Sequence, residues 1–163
     1  MPLVGADKAA ENASLILSRF RSEGLPVVHV QHIATSPAAT FFLPNTAGAD
    51  IHKSVTPLET EKVIVKHFPN SFRETDLLES LKAQGITEVV ICGMMTHMCI
   101  DATTRAAKDF GFTCTVIGDA CATKNLEVNG QAVEAGEVQK SFLAALSYFY
   151  STVKTAMQYL EEK

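Results

Sequence analysis

The chain has no tryptophan, no Cys-x-x-Cys pair, no block of like charge and no apolar run approaching the length of a bilayer. Each absence removes a class of protein. A membrane helix needs about 18 consecutive apolar residues, and the opening MPLVGADKAAENAS lacks the basic start and apolar stretch of a secretory signal. A cytoplasmic protein that does not engage membrane is expected. Fourteen Lys and Arg against eighteen Asp and Glu give a net charge of −4, with no basic stripe to follow a phosphate backbone, so nucleic acid is not an expected partner. The four cysteines, Cys92, Cys99, Cys114 and Cys121, lie in apolar surroundings without the spacing of a zinc knuckle or a disulfide framework. They read as reduced thiols, and Cys92, Cys114 and Cys121 as small core residues. No repeat, linker or low-complexity tract divides the 163 residues, which suit one domain, 1–163.

What is present is alternation of helix and strand. Ala10, Ala13, Ile16, Leu17 and Phe20 recur at helical spacing behind Asp7, a candidate N-cap, and Gly24 and Pro26 close that helix. Val27, Val28 and Val30 form a short β-branched strand, and 61–66 (EKVIVK) forms another. Ser71-Phe72-Arg73-Glu74 fits a capping box ahead of Leu77, Leu78 and Leu81. The nearly all-apolar 87–92 (TEVVIC) is the kind of strand that parallel sheets bury on both faces. A helix then carries Thr103, Ala106, Ala107 and Phe110 inward, 112–117 (FTCTVI) is a further strand, and the last long helix buries Val138, Phe142, Ala145, Leu146 and Phe149. This order predicts an α/β fold, a doubly wound, mostly parallel sheet with helices on both faces. The stretch 33–60, with three prolines and two phenylalanines, is too long for a plain connection and reads as a lid or pocket wall, while 125–135, around Asn129-Gly130, reads as a surface turn.

In such sheets ligands bind beyond the carboxyl ends of the strands. Two segments place chemistry there. Cys99 falls in the first turn of the helix beginning near His97, where free amides and the positive end of the helix dipole favour a thiolate. Lys66 ends its strand and is followed by His67, Phe68 and Pro69, which puts a cation on the same sheet edge. His29 and His32, three apart on a strand, point to opposite faces and cannot readily share a metal.

These residues resemble the isochorismatase-like cysteine hydrolases. The resemblance rests on Gly93-Met94-Met95-Thr96-His97-Met98-Cys99, continuing through Ile100-Asp101-Ala102-Thr103-Thr104-Arg105, on Lys66 with Ser71-Phe72, and on Asp119-Ala120-Cys121-Ala122-Thr123. It implies that Cys99 is a nucleophile, that Lys66 stabilises the thiolate and the oxyanion, and that the backbone N–H groups of Met95 and Cys99 form the oxyanion hole. It also implies a cis peptide bond between Met94 and Met95. His67, Phe68, Phe72 and His97 are candidate pocket residues. No cofactor and no metal are implied, because His29-Val30-Gln31-His32-Ile33 departs from the Asp-x-His motif of metal-dependent nicotinamidases. The family's third catalytic residue is an Asp ending a first strand of the pattern LLxIDxQ, and the residues ahead of the first helix are too few and wrongly patterned to supply it. The first strand is therefore expected to be absent, and neither Asp7, Asp101 nor Asp119 takes the role.

The implied activity is cleavage of a C–N, amide-type bond in a small molecule. The alternatives are vinyl-ether hydrolysis of the isochorismatase type, or a pseudoenzyme that binds a small molecule without its base. A homo-oligomer, a dimer or larger, is the implied assembly, with the last helix and 152–160 (TVKTAMQYL) as candidate contacts.

Overall fold

The β-branched runs form two half-sheets, and every strand within them is parallel to its neighbour. The structure, a computed structural model, describes residues 2–162. Helix α1 (Ala6–Ser22) leads into β1 (Val28–His32), a loop with two short 3₁₀ turns, β2 (Lys62–Lys66) and α2 (Leu77–Ala83). Next come β3 (Glu88–Met94), a π-helical turn (Thr96–Ile100) continuous with α3 (Asp101–Asp109), and β4 (Thr113–Ala122). A small antiparallel hairpin, β5 (Leu126–Val128) and β6 (Gln131–Val133), precedes α4 (Ala135–Phe149), β7 (Thr152–Lys154) and α5 (Ala156–Glu161).

One half-sheet is β1-β2, the other β3-β4-β7. Ile64, Leu77, Leu81, Ala107, Phe112 and Cys114 form a buried cluster beneath both, so α2 and α3 cover one face. α1 and α5 cover the other through Ile16, Ile117, Ala120 and Ala156. The expected α/β architecture with helices on both faces is the one observed. No hydrogen-bonded pairing joins β1 to β3. Between them runs an open slot, walled by Val28 and Val30 on one side and by Val90, Cys92 and Met94 on the other. Its compartments, about 380 and 500 Å³, far exceed the voids of a close-packed interior.

Several local expectations change. α1 begins at Ala6 with Gly5 as its cap, and Asp7 sits in the first turn, near the helix dipole rather than capping it. The capping box does not form. Glu74 adopts a left-handed φ of 56°, the Ser71 hydroxyl is taken by Thr103, and α2 starts only at Leu77. Ala145, Phe149 and Phe110 are exposed; α4 turns Val138, Gln139, Phe142, Leu143 and Leu146 inward instead. Residues 152–160 are not a free tail. β7 pairs with β4, and Ala156, Tyr159 and Leu160 pack into the cluster beneath α1. The turn read around Asn129-Gly130 is the tip of the β5-β6 hairpin, both residues having positive φ.

Candidate active site

The site grows out of the carboxyl end of β3. Gly93 has φ 132°, a conformation that side-chain-bearing residues rarely adopt, and it turns the chain out of the sheet. The Met94–Met95 peptide bond is cis. The N–H groups of Met98 and Ile100 then both donate to the Met95 carbonyl, at 3.0 and 3.2 Å, which winds Thr96–Ile100 into a π turn. Such turns recur at functional sites. Cys99 rides on this turn half-buried, while the N–H of Met95 donates to no backbone carbonyl among the described residues.

Lys66 approaches from the other half-sheet. It is 3% exposed, and its ammonium donates to the Pro69 carbonyl. Burial lowers its pKa, and the charge and hydrogen bonding of neighbouring Cys99 pull it partly back. The loop after Lys66 is fastened to the helix after Cys99: the Ser71 N–H donates to Thr103 Oγ1 at 3.0 Å, and the Thr103 hydroxyl donates to Ser71 Oγ at 2.9 Å. A buried ammonium beside a thiol at the head of a helix can hold a thiolate and stabilise negative charge on a carbonyl oxygen.

His32 is the register partner of Lys66, so both side chains leave the same face of the β1-β2 pair. Its ring lies 4.9 Å from that of Phe42, and its Nδ1 is buried without a hydrogen-bond partner. Burial, then the charges of Lys66 and His67, lower its pKa. The sequence reading weighed His32 only as a metal ligand; its pairing with Lys66 depends on strand register, which no local pattern reveals. Phe42, Gly48, Asp50 and His52 of the 33–60 loop join His32, Lys66 and Cys99 around one cavity.

Of the other candidate residues, Phe72 shares a cavity lining with Lys66 and Cys99, while His67, Phe68 and His97 are engaged elsewhere. His67 is exposed and hydrogen-bonded through Nδ1 to the Ile33 carbonyl. Phe68 lies beneath the Arg73 guanidinium, 3.7 Å from ring centre to cation. Phe72 stacks on Phe112 in the core and reaches the slot from below. His97 hydrogen-bonds Thr123, with its pKa lowered by burial and by Lys124. Among the described residues no three His, Cys, Asp or Glu side chains gather as metal ligands.

Comparison with known proteins places this chain in a family. The isochorismatase domain profile matches residues 3–146. An uncharacterized isochorismatase family protein of Bacillus subtilis, YddQ, is 53% identical over 161 residues, covering 99% of this chain and 89% of its own. Streptothricin hydrolase of Streptomyces noursei is 34% identical over 128 residues, 75% of this chain and 46% of its own. A crystal structure from Oleispira antarctica, assigned to the isochorismatase hydrolases, superposes with a TM-score of 0.93 at 52% identity, covering 98% of this chain and 84% of the other.

Proposed function

This chain belongs to the isochorismatase family and is a hydrolase, and from that premise we propose that it cleaves the C–N bond of a small amide with Cys99 as the nucleophile. The observation that carries the proposal is the buried Lys66 ammonium beside Cys99 on the π turn. The Cys99 thiolate attacks the carbonyl carbon, a C–S bond forms, and the carbonyl π electrons move to oxygen. That oxygen rests against the Met95 and Cys99 N–H groups, with Lys66 stabilising the charge. Collapse breaks the C–N bond, and the nitrogen leaves as the neutral amine after gaining a proton. Water then attacks the thioester, releasing the acid and returning the thiolate. A related hydrolase, that of Streptomyces noursei, is named for streptothricin; the substrate here is proposed only as a small amide.

The proton donor in this scheme is the family's Asp, and we assign its seat to the slot between β1 and β3. β1 and β3 each face the slot without a ladder between them, so a single extended apolar segment seated there would pair with both, and a carboxylate at the end nearest Lys66 would meet that ammonium. A synthetic peptide of the pattern LLxIDxQ, added in trans, is expected to raise Tm and amide turnover together. The same peptide with Asn for Asp is expected to raise Tm alone. Equal turnover with both peptides overturns the assignment.

The nucleophile is tested with Cys99→Ala on a panel of small primary amides. Loss of turnover by about 10³-fold or more, with binding retained, is expected. Turnover at the wild-type rate removes the covalent scheme.

A further inference from the structure

The two half-sheets differ in how they support the Cys99 turn, and one side chain outside the cavity stands at the junction. Strands β3 and β4 pair regularly as far as Ile91 and Val116, then resume with Gly93 opposite Cys121. One residue of β3 therefore faces four of β4, and the bulge takes carbonyl groups of β4 out of the ladder. Gln139, on the inward face of α4, donates through Nε2 to two carbonyls of β4, Gly118 O within the bulge at 3.0 Å and Cys121 O where pairing resumes at 3.2 Å. Its Oε1 accepts from the hydroxyl of Thr96 at 2.6 Å. Thr96 is fully buried and is the first residue of the π turn that bears Cys99. A single amide thus satisfies one buried donor and two β4 carbonyls, one in the bulge and one at its edge, groups that would each be costly to leave unpaired.

We propose that Gln139 is a positioning residue of the Cys99 site: by bridging Thr96 to the β4 bulge it fixes where the turn, and hence Cys99 and the Met95 amide, stand relative to Lys66. This rests on the reading of Cys99 as the nucleophile. The side chain touches neither the cavity nor a reacting atom and acts through Thr96. The backbone bonds of the turn close onto Met95 and within the helix, and the other side-chain tie at that end runs from His97 to Thr123, just past β4. Displacements of about 1 Å in such a group can cost roughly a hundredfold in rate.

The test uses the full chain with iodoacetamide as the thiol probe, read by mass spectrometry at each cysteine, and amide hydrogen exchange over 95–100. Gln139→Met keeps the length and removes all three bonds, and Thr96→Val removes the shared bond from the other end. Each is expected to slow Cys99 alkylation at pH 7 by about tenfold or more while Cys114 is unaffected, and to speed exchange of the turn. Thr96→Ser keeps the hydroxyl and is expected to stay within about twofold of wild type. Gln139→Glu supplies a readout that loss of packing would not: its carboxylate faces two carbonyl oxygens. Relative to wild type, its Cys99 rate is therefore expected to fall as pH rises from 5 to 8 and the carboxyl ionises. Wild-type alkylation in folded Gln139→Met and Thr96→Val overturns the proposal. If Cys99 of the wild type reacts no faster than Cys114, the nucleophile reading fails by itself. The exchange data then decide the clamp, and an unchanged turn in Gln139→Met overturns it.

Discussion

The four thiols of this chain divide by what surrounds them. Burial raises the pKa of Cys114 and, much further, of Cys121. Cys92 opens onto the slot yet is enclosed by enough protein that its thiol is pushed up to about 11. These three stay protonated at pH 7, so iodoacetamide is expected to label Cys99 first, and a mass-spectrometric time course checks it. Lys66→Met, which keeps the stem and removes the charge, is expected to slow that labelling by about tenfold or more. Thr104 offers a different test. It is fully buried and its hydroxyl has no partner, so Thr104→Val is expected to leave Tm unchanged or raise it, a gain of up to about 1 kcal/mol by thermal denaturation. The positions of Lys66 at the carboxyl end of β2 and of Cys99 just after β3 were legible in the sequence, because each follows from strand, turn and helix in order. Gln139 and His32 were not, since one answers residues 18 to 43 positions away and the other depends on register.

Elements are fastened by polar staples whose partners lie far apart in sequence. Glu61, just before β2, accepts a pair of hydrogen bonds from Arg21 of α1, at 2.7 and 2.8 Å, and another from His29 of β1 at 2.8 Å. The Leu58 N–H adds a fourth. Hydrogen bonding from Arg21 leads the causes that hold the Glu61 carboxyl down at about 2. The sign follows: a carboxyl depressed on folding stabilises the native state fully above the unfolded pKa, about 4.3, and that contribution disappears as pH falls toward 2. Glu61→Gln is expected to cost about 2 kcal/mol at pH 7 and to flatten the acid limb of the stability profile, measured by urea denaturation from pH 2 to 7. Gly118 marks a second join, where a β-carbon would stand 2.9 Å from Leu143 Cδ1 and 3.2 Å from Val153 Cγ1. Gly118→Ala must push Leu143 aside, and a loss of about 1–3 kcal/mol is expected. Periodicity located α1, β1, β2, β3 and α4, and Gly24, left-handed at φ 66°, closes α1 as its position implies, but the cap at the start of α1 and the length of β4 were misjudged. It extended no strand past Gly118, and it could not tell that three residues, Thr152–Lys154, pair with β4, since so short a run carries no period.

At the scale of the whole molecule, alternation of helix and strand was enough to give the α/β architecture, because parallel strands impose their own crossovers. Composition and spacing alone carry no trace of the division of the sheet. What the structure adds is the distribution of the chemistry across that division. Lys66 ends β2 in one half-sheet, whereas Cys99 follows β3 in the other, and no backbone hydrogen bond ties β1 to β3. The ammonium and the thiol are therefore held across the slot by the Ser71–Thr103 hydrogen bonds and by the apolar cluster beneath both half-sheets, with no strand ladder between β1 and β3 to help. Reactivity of one cysteine becomes a report on those ties, readable in the absence of any substrate.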